Sequence, residues 1–223
     1  KMEDSMLQAM KDAGVDVQQY RPLKWYNLGR LNNRTHRKLL VVDGRTAFTG
    51  GVGIADQWDG NAQDPEHWRD LHFRIEGPAV AQVQAAFNDN WIKTTGVVLN
   101  GADYFPPLER AGDMDAHMFV ASPAGGSESM HLMYLMAIAA AERSIDLQAA
   151  YFVPDDLIIK ALLAARHRGV KVRVIMDGKQ CEFKVALDEQ LERAGVPLAR
   201  TGGPGSMHNK FAIIDGRLVT SAH

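Results

Sequence analysis

The sequence predicts an α/β protein built as two unequal, pseudo-symmetric copies of one plan. Three observations lead there. Helical and strand periodicities alternate through the second half with short glycine turns between them, the pattern of helices packed on the faces of a mixed sheet. The segment Thr35-His36-Arg37-Lys38-Leu39-Leu40-Val41-Val42-Asp43-Gly44-Arg45 returns as Met207-His208-Asn209-Lys210-Phe211-Ala212-Ile213-Ile214-Asp215-Gly216-Arg217. Both copies obey His-x-Lys-x4-Asp-Gly-Arg, with an apolar stretch between Lys and Asp. An Ala-Gly-Val junction also occurs twice, at 13–15 and 194–196.

In chain order, residues 5–13 read as a helix closed by Gly14, matching 187–194 closed by Gly195. The first copy therefore lacks the opening helix–strand units that the second retains. Past its motif strand come the turn Gly50-Gly51-Val52-Gly53, a strand near 71–75 and a helix over 79–91. Residues 94–116 hold Pro106-Pro107 and show no clear periodicity, which marks a connection between copies. The expected division is 1–95 for the first repeat, 96–116 for the linker and 117–223 for the second repeat.

The second half is clearer. Leu132, Leu135, Met136 and Ala139 give 127–143 a helical stripe, with Ser127 or Ser129 as N-cap. A strand over 144–150 leads into the loop Tyr151-Phe152-Val153-Pro154-Asp155, then an amphipathic helix over 156–168 ends at Gly169. Residues 170–176 alternate Val170, Val172, Val174 and Met176 with Lys171, Arg173 and Ile175, a strand signature. A helix over 182–194, a short strand over 196–199 and the second motif strand complete the plan.

With 223 residues, 46% hydrophobic and 23% charged, the chain has the composition of an ordinary globular protein and can bury a sizeable core. Lys+Arg 25 against Asp+Glu 27 gives a net charge of -2. That balance argues against a protein gripping nucleic acid over many phosphates. One cysteine, Cys181, excludes an intrachain disulfide and a cysteine-based zinc cluster. No apolar run reaches the roughly 18 residues needed to cross a bilayer. The chain starts at Lys1 rather than Met and stops within a strand, so it reads as a fragment, both copies being cut.

Strand residues two apart share a face, so His36 and Lys38 point one way, as do His208 and Lys210. Two imidazoles and two ammonium groups around one point suit a phosphate diester. One His attacks, the other protonates the leaving oxygen, and the lysines hold the anion. Asp43 and Asp215 have the opposite parity, and Asp-Gly is a hairpin signal, so ending the strand is their main expected role and direct chemistry the lesser one. His67 and His72, near Asp64, Glu66 and Asp70, match no metal-ligand spacing, and no cofactor is expected. Arg30, Arg34, Arg37 and Arg45 surround the first motif, as a solvated face or a contact for anionic headgroups. Tyr151 and Phe152 either floor a pocket or fill the core.

The paired His-x-Lys-x4-Asp motif resembles the phospholipase D superfamily. Residues 34–56, Trp68-Arg69-Asp70-Leu71-His72, Gly77-Pro78-Ala79-Val80 and the Tyr151 to Asp155 loop are similar to its bacterial cardiolipin synthase branch. The resemblance implies two α/β/α sandwich repeats with the active site at their interface. It also implies metal-independent exchange through a phosphohistidine, making cardiolipin from phosphatidylglycerol-type lipids. His36 would be the nucleophile and His208 the general acid and then base. Lys38 and Lys210 would steady the phosphoryl oxygens, and Asp70 matches the acidic residue that family members set against the nucleophilic ring. The family's Gly-Ser-x-Asn after the motif strand is replaced by Gly51 and Gly53, leaving backbone N–H groups to meet the phosphate. The second copy ends in Ser221-Ala222-His223, two residues early by the spacing of the first. A phospholipid partner, a membrane surface and a bacterial membrane location follow from the same resemblance. A hydrolase of phospholipid or nucleic acid, and a silent phospholipid-binding homologue, are the alternatives.

Overall fold

The computed structural model describes residues 3–20, 35–121, 127–177, 189, 191–203 and 205–221. They fall into two compact units: 1–37, 41–47 and 75–118 in the first, and 38–40, 48–74 and 119–223 in the second.

In the first unit, helix α1 (Asp4–Asp12) is followed by Gly14 at φ 82°. Helix α2 (Ala79–Thr95) buries Val80, Val83 and Ala86. It runs past the expected end at 91 because the hydroxyls of Thr94 and Thr95 donate back to the carbonyls of Asn90 (2.7 Å) and Trp91 (2.8 Å). Only the left-handed Gly96, φ 76°, stops it. Buried Asn88 exchanges two 3.0 Å hydrogen bonds with the Leu99 backbone, folding the stretch after α2 back onto it. Also in this unit is the turn Val42-Asp43-Gly44-Arg45. Asp43 (φ 54°) and Gly44 (φ 62°) are both left-handed, and Arg45 N–H reaches Val42 O at 3.0 Å, a type I′ hairpin turn. A Cβ on Gly44 would overlap the Tyr104 carbonyl and Pro106, so glycine is required there on two counts. Strands β1 (Leu39–Val42), β2 (Thr46–Gly50) and β4 (His72–Glu76) form a sheet in the order β1-β2-β4.

The second unit holds a five-stranded mixed sheet. With β5 (Ser144–Ala149), β6 (Lys171–Asp177), β7 (Leu198–Thr201), β9 (Lys210–Ile214) and β10 (Leu218–Ser221), its order is β10-β9-β5-β6-β7. β5, β6 and β7 are parallel; β9 is antiparallel to β5 and to β10. Helices α3 (Ser127–Ala140) and α4 (Asp156–His167) supply Ile138, Leu162 and Ala165 to a core shared with Ile145, Val172, Val174, Met176 and Ile214. Asp155 caps α4 by accepting from the N–H groups of Leu157 (3.0 Å) and Ile158 (2.9 Å). β6 alternates as expected, Val172, Val174 and Met176 buried against exposed Lys171, Arg173 and Ile175. Beside this sheet, β3 (Trp68–Arg69) pairs in parallel with β8 (Ser206–Met207).

The α/β class with mixed sheets is the one the alternation of elements predicts. Helix α3 ends three residues before the expected 143, since the N–H groups of Glu142, Arg143 and Ser144 turn to the Asp215 carboxylate instead. The motif histidines differ from expectation too. β1 begins at Leu39 and β9 at Lys210, so His36 and His208 precede the strands. The His208 N–H donates to Arg69 O at 2.9 Å, continuing the β3–β8 pairing. The helix expected over 182–194 lies largely outside the described residues, as do Arg30, Arg34 and Cys181.

Candidate active site

The second unit gathers residues from both motif copies. Lys38, Gly51, Gly53 and Asp70 follow the first histidine; Tyr151, His208 and Lys210 come from the second half. The β3–β8 pairing joins them locally, because Trp68 and Arg69 lie just before Asp70, and Ser206 and Met207 just before His208.

Asp70 Oδ2 accepts from the His208 Nδ1 side at 2.7 Å, and Asp70 Oδ1 accepts the Leu71 N–H at 2.7 Å. The Asp70 side chain is fully buried and that of His208 is 16% exposed. A solvated strand-end carboxylate is therefore not what position 70 holds. A carboxylate on Nδ1 fixes the ring tautomer and leaves Nε2 for a reacting atom. The resemblance sets Asp70 against the nucleophile, His36. The hydrogen bond found is to His208.

Lys210 Nζ lies 3.1 Å from both His208 ring nitrogens and from the His208 carbonyl. Lysine and histidine two apart thus share a side, although only the lysine is on a strand. Burial lowers the Lys210 ammonium below its ordinary 10.5; Asp70 offsets part of this and the positive charge of Lys38 adds to it. Burial likewise lowers Lys38, again partly offset by Asp70. Two half-buried cations beside the Asp70 carboxylate are placed to hold an anionic ligand.

Aromatic rings wall the imidazole. Trp58 and Trp68 centroids each lie 5.9 Å from His208, Tyr151 lies 6.4 Å away, and Trp58 meets Trp68 edge-on at 5.6 Å. Tyr151 is half exposed beside His208, whereas Phe152 is buried in the core, which resolves the choice the sequence left open. A small cleft is lined by Trp68, Tyr151, Asp177, Met207 and His208. Asp177, 2% exposed, accepts the Met207 N–H at 2.8 Å and so steadies the step into His208. Sequence reading gave no role to Trp58, Trp68 or Asp177. The available signals were two tryptophans flanking the first-copy glycines and Asp70, and an aspartate ending an apolar strand.

The two glycines differ. Gly51 N–H donates to Leu71 O at 2.9 Å, so it is not offered to a ligand as expected. Its lack of a side chain matters instead, because a Cβ there would overlap Asp70 Oδ2. At Gly53 a Cβ would stand 3.0 Å from Trp58 Nε1 and 3.6 Å from Lys38 Cε.

Asp215 is a turn residue. At φ 54°, beside Gly216 at 67°, it repeats the type I′ turn of the first copy, with Arg217 N–H to Ile214 O at 3.0 Å. Its carboxylate accepts three backbone N–H groups, from Glu142 (2.9 Å), Arg143 (2.7 Å) and Ser144 (2.8 Å), which hold it below its ordinary 3.8. Asp43 occupies the matching turn in the first unit. His36 also belongs to the first unit, exposed and ahead of β1. Next to it Arg37 is not a solvated charge: it contacts Asp89 (3.1 Å) and Asn90 (3.0 Å) on α2.

The family "Cardiolipin synthase, PLD-like domain" matches residues 134–222. The chain is 34% identical to a probable cardiolipin synthase of Bacillus subtilis (strain 168), over 95% of this chain and 43% of that protein. It is 30% identical to cardiolipin synthase 1 of Bacillus anthracis, over 96% and 45% respectively. Cardiolipin synthase A of Pseudomonas putida (strain W619) is 32% identical, over 95% and 45%. The chain therefore spans a little under half the length of these relatives. With the paired His-x-Lys-x4-Asp motif present in both copies, the chain is similar over nearly its whole length to the bacterial cardiolipin synthases of the phospholipase D superfamily.

Proposed function

We propose that the protein is a phosphatidyltransferase that joins two phosphatidylglycerol-type lipids into cardiolipin and releases glycerol, working at a bacterial membrane surface. The buried Asp70–His208 pair, with Lys210 3.1 Å from the imidazole and Lys38 within electrostatic reach of Asp70, carries this reading. His36 attacks phosphorus, forming an N–P bond as the P–O bond to glycerol breaks. His208, its Nδ1 side held by Asp70, gives the leaving oxygen a proton. It then takes the proton of the second lipid's hydroxyl, which attacks phosphorus and breaks the N–P bond. The Asp70 carboxylate balances the His208 imidazolium before the first step and again after the second, and Lys38 and Lys210 hold the phosphoryl oxygens. His36 as nucleophile rests on the repeated motif. A general acid must carry its proton into the reaction, and a fully buried carboxylate on His208 suits that ring to the acid role. No described helix is long and apolar enough to cross a membrane.

The test is incubation of the whole protein with labelled phosphatidylglycerol. Cardiolipin with an equal amount of glycerol supports the reading. Phosphatidic acid alone would indicate water as acceptor, and tight binding without turnover a silent homologue.

A further inference from the structure

Within the second unit, the pyrrole edge of Trp58 faces Gly53: a Cβ there would lie 3.0 Å from Nε1 and 3.4 Å from Cδ1, with Lys38 Cε at 3.6 Å. The indole is held in place. It ends the short 3-10 turn Asp56–Trp58, whose N–H groups are taken at Trp58 by Ala55 O (3.0 Å) and at Asp59 by Asp56 O (2.9 Å). Trp68 packs edge-on against it at 5.6 Å, and its centroid stands 5.9 Å from the His208 ring. An indole N–H donates and cannot accept. Here it shares the space over Gly53 with the stem of Lys38 and neighbours an imidazole that has the Lys210 ammonium 3.1 Å from it. This N–H and the ammonium groups of Lys38 and Lys210 are all donors, and the ligand such a set fits is an anion.

We propose that Trp58 Nε1–H is a phosphate-oxygen donor of this site, filling the place a polar side chain at position 53 would otherwise reach. This rests on the phosphodiester reading above. A side chain at 53 and the indole would compete for one position.

The probe is dihexanoyl phosphatidylglycerol, a soluble phosphodiester, titrated into the whole chain below its micelle concentration. The indole N–H and imidazole resonances are followed by NMR after through-bond assignment in the unmutated protein. The expected result is a downfield shift of the Trp58 Nε1–H that saturates together with the His208 ring signals. Trp58→Phe, which keeps an aromatic ring, should weaken binding roughly 10-fold or more, the loss expected for a hydrogen bond to a charged acceptor. Adding Gly53→Asn to Trp58→Phe should recover most of that loss by supplying an amide donor in the vacated space. Shifts at His208 with Trp58 Nε1–H unmoved would overturn this inference and leave the phosphodiester reading standing. No response at either residue would overturn both.

Discussion

Asp70 and His208, 138 positions apart in sequence, are hydrogen bonded at 2.7 Å, the carboxylate fully buried and the imidazole nearly so. This pair ties a residue of the first copy to the start of the second motif. Removing its charge while keeping its shape is the sharpest single change. Asp70→Asn should leave the fold intact by circular dichroism and lower kcat on the order of 10²- to 10⁴-fold, the range for losing an acid–base residue or its orienting carboxylate. A loss confined to KM would mean that Asp70 only shapes the pocket.

Gly51 makes way for that carboxylate. Gly51→Ala would drive a methyl group into Asp70 Oδ2 and should cost about 1–3 kcal/mol of stability, as overpacking does. Activity should fall as far as in Asp70→Asn. In the double variant the two losses should not add, because both act by displacing one carboxylate. Additive losses in kcat would separate Gly51 from the Asp70–His208 pair.

The lysines give the site a pH dependence of stated sign. Burial lowers Lys38 and Lys210 from 10.5, so the folded protein releases these protons before the unfolded chain does. The stability penalty of holding them charged is fully present below the lowered values and disappears as pH rises to 10.5. Phosphodiester affinity moves the other way, falling with pH as the ammonium groups lose their protons. Isothermal titration against pH should find that fall below the ordinary lysine range, and Lys210→Arg should move it upward. An unchanged midpoint in that variant would take Lys210 out of the anion site.

Much of this was legible in the sequence. The His-Lys-Asp-Gly repeat, the alternation of Val172, Val174 and Met176, and the glycines at 14 and 169 each report local physics, and local physics places the elements. What escaped was set by pairing. Nothing near His208 in sequence says that its N–H bonds Arg69, yet that bond sets the histidine ahead of its strand and against Asp70. The uses of Gly51 and Trp58 were hidden for the same reason, since each depends on a neighbour 5 to 20 positions away.

Asp215 separates fold from chemistry. Its three backbone hydrogen bonds hold the carboxyl below 3.8 in the folded state, so its contribution to stability is present above 3.8 and disappears as pH falls through the lowered value. Asp215→Ala should lower the melting temperature at neutral pH and reduce the protein's acid sensitivity, with kcat of the surviving folded protein close to unmutated. A selective loss of kcat at full stability would return Asp215 to the reaction.

The most direct measurement is to capture the covalent state. The whole protein is mixed with phosphatidylglycerol carrying radioactive phosphorus, quenched in alkali where phosphohistidine survives, and mapped by peptide. Label on His36, lost in His36→Ala and retained in His208→Ala only when the lipid carries a leaving group that needs no proton, is the predicted result. Cardiolipin formed with no histidine ever labelled would contradict phosphoryl exchange through this pair of motifs.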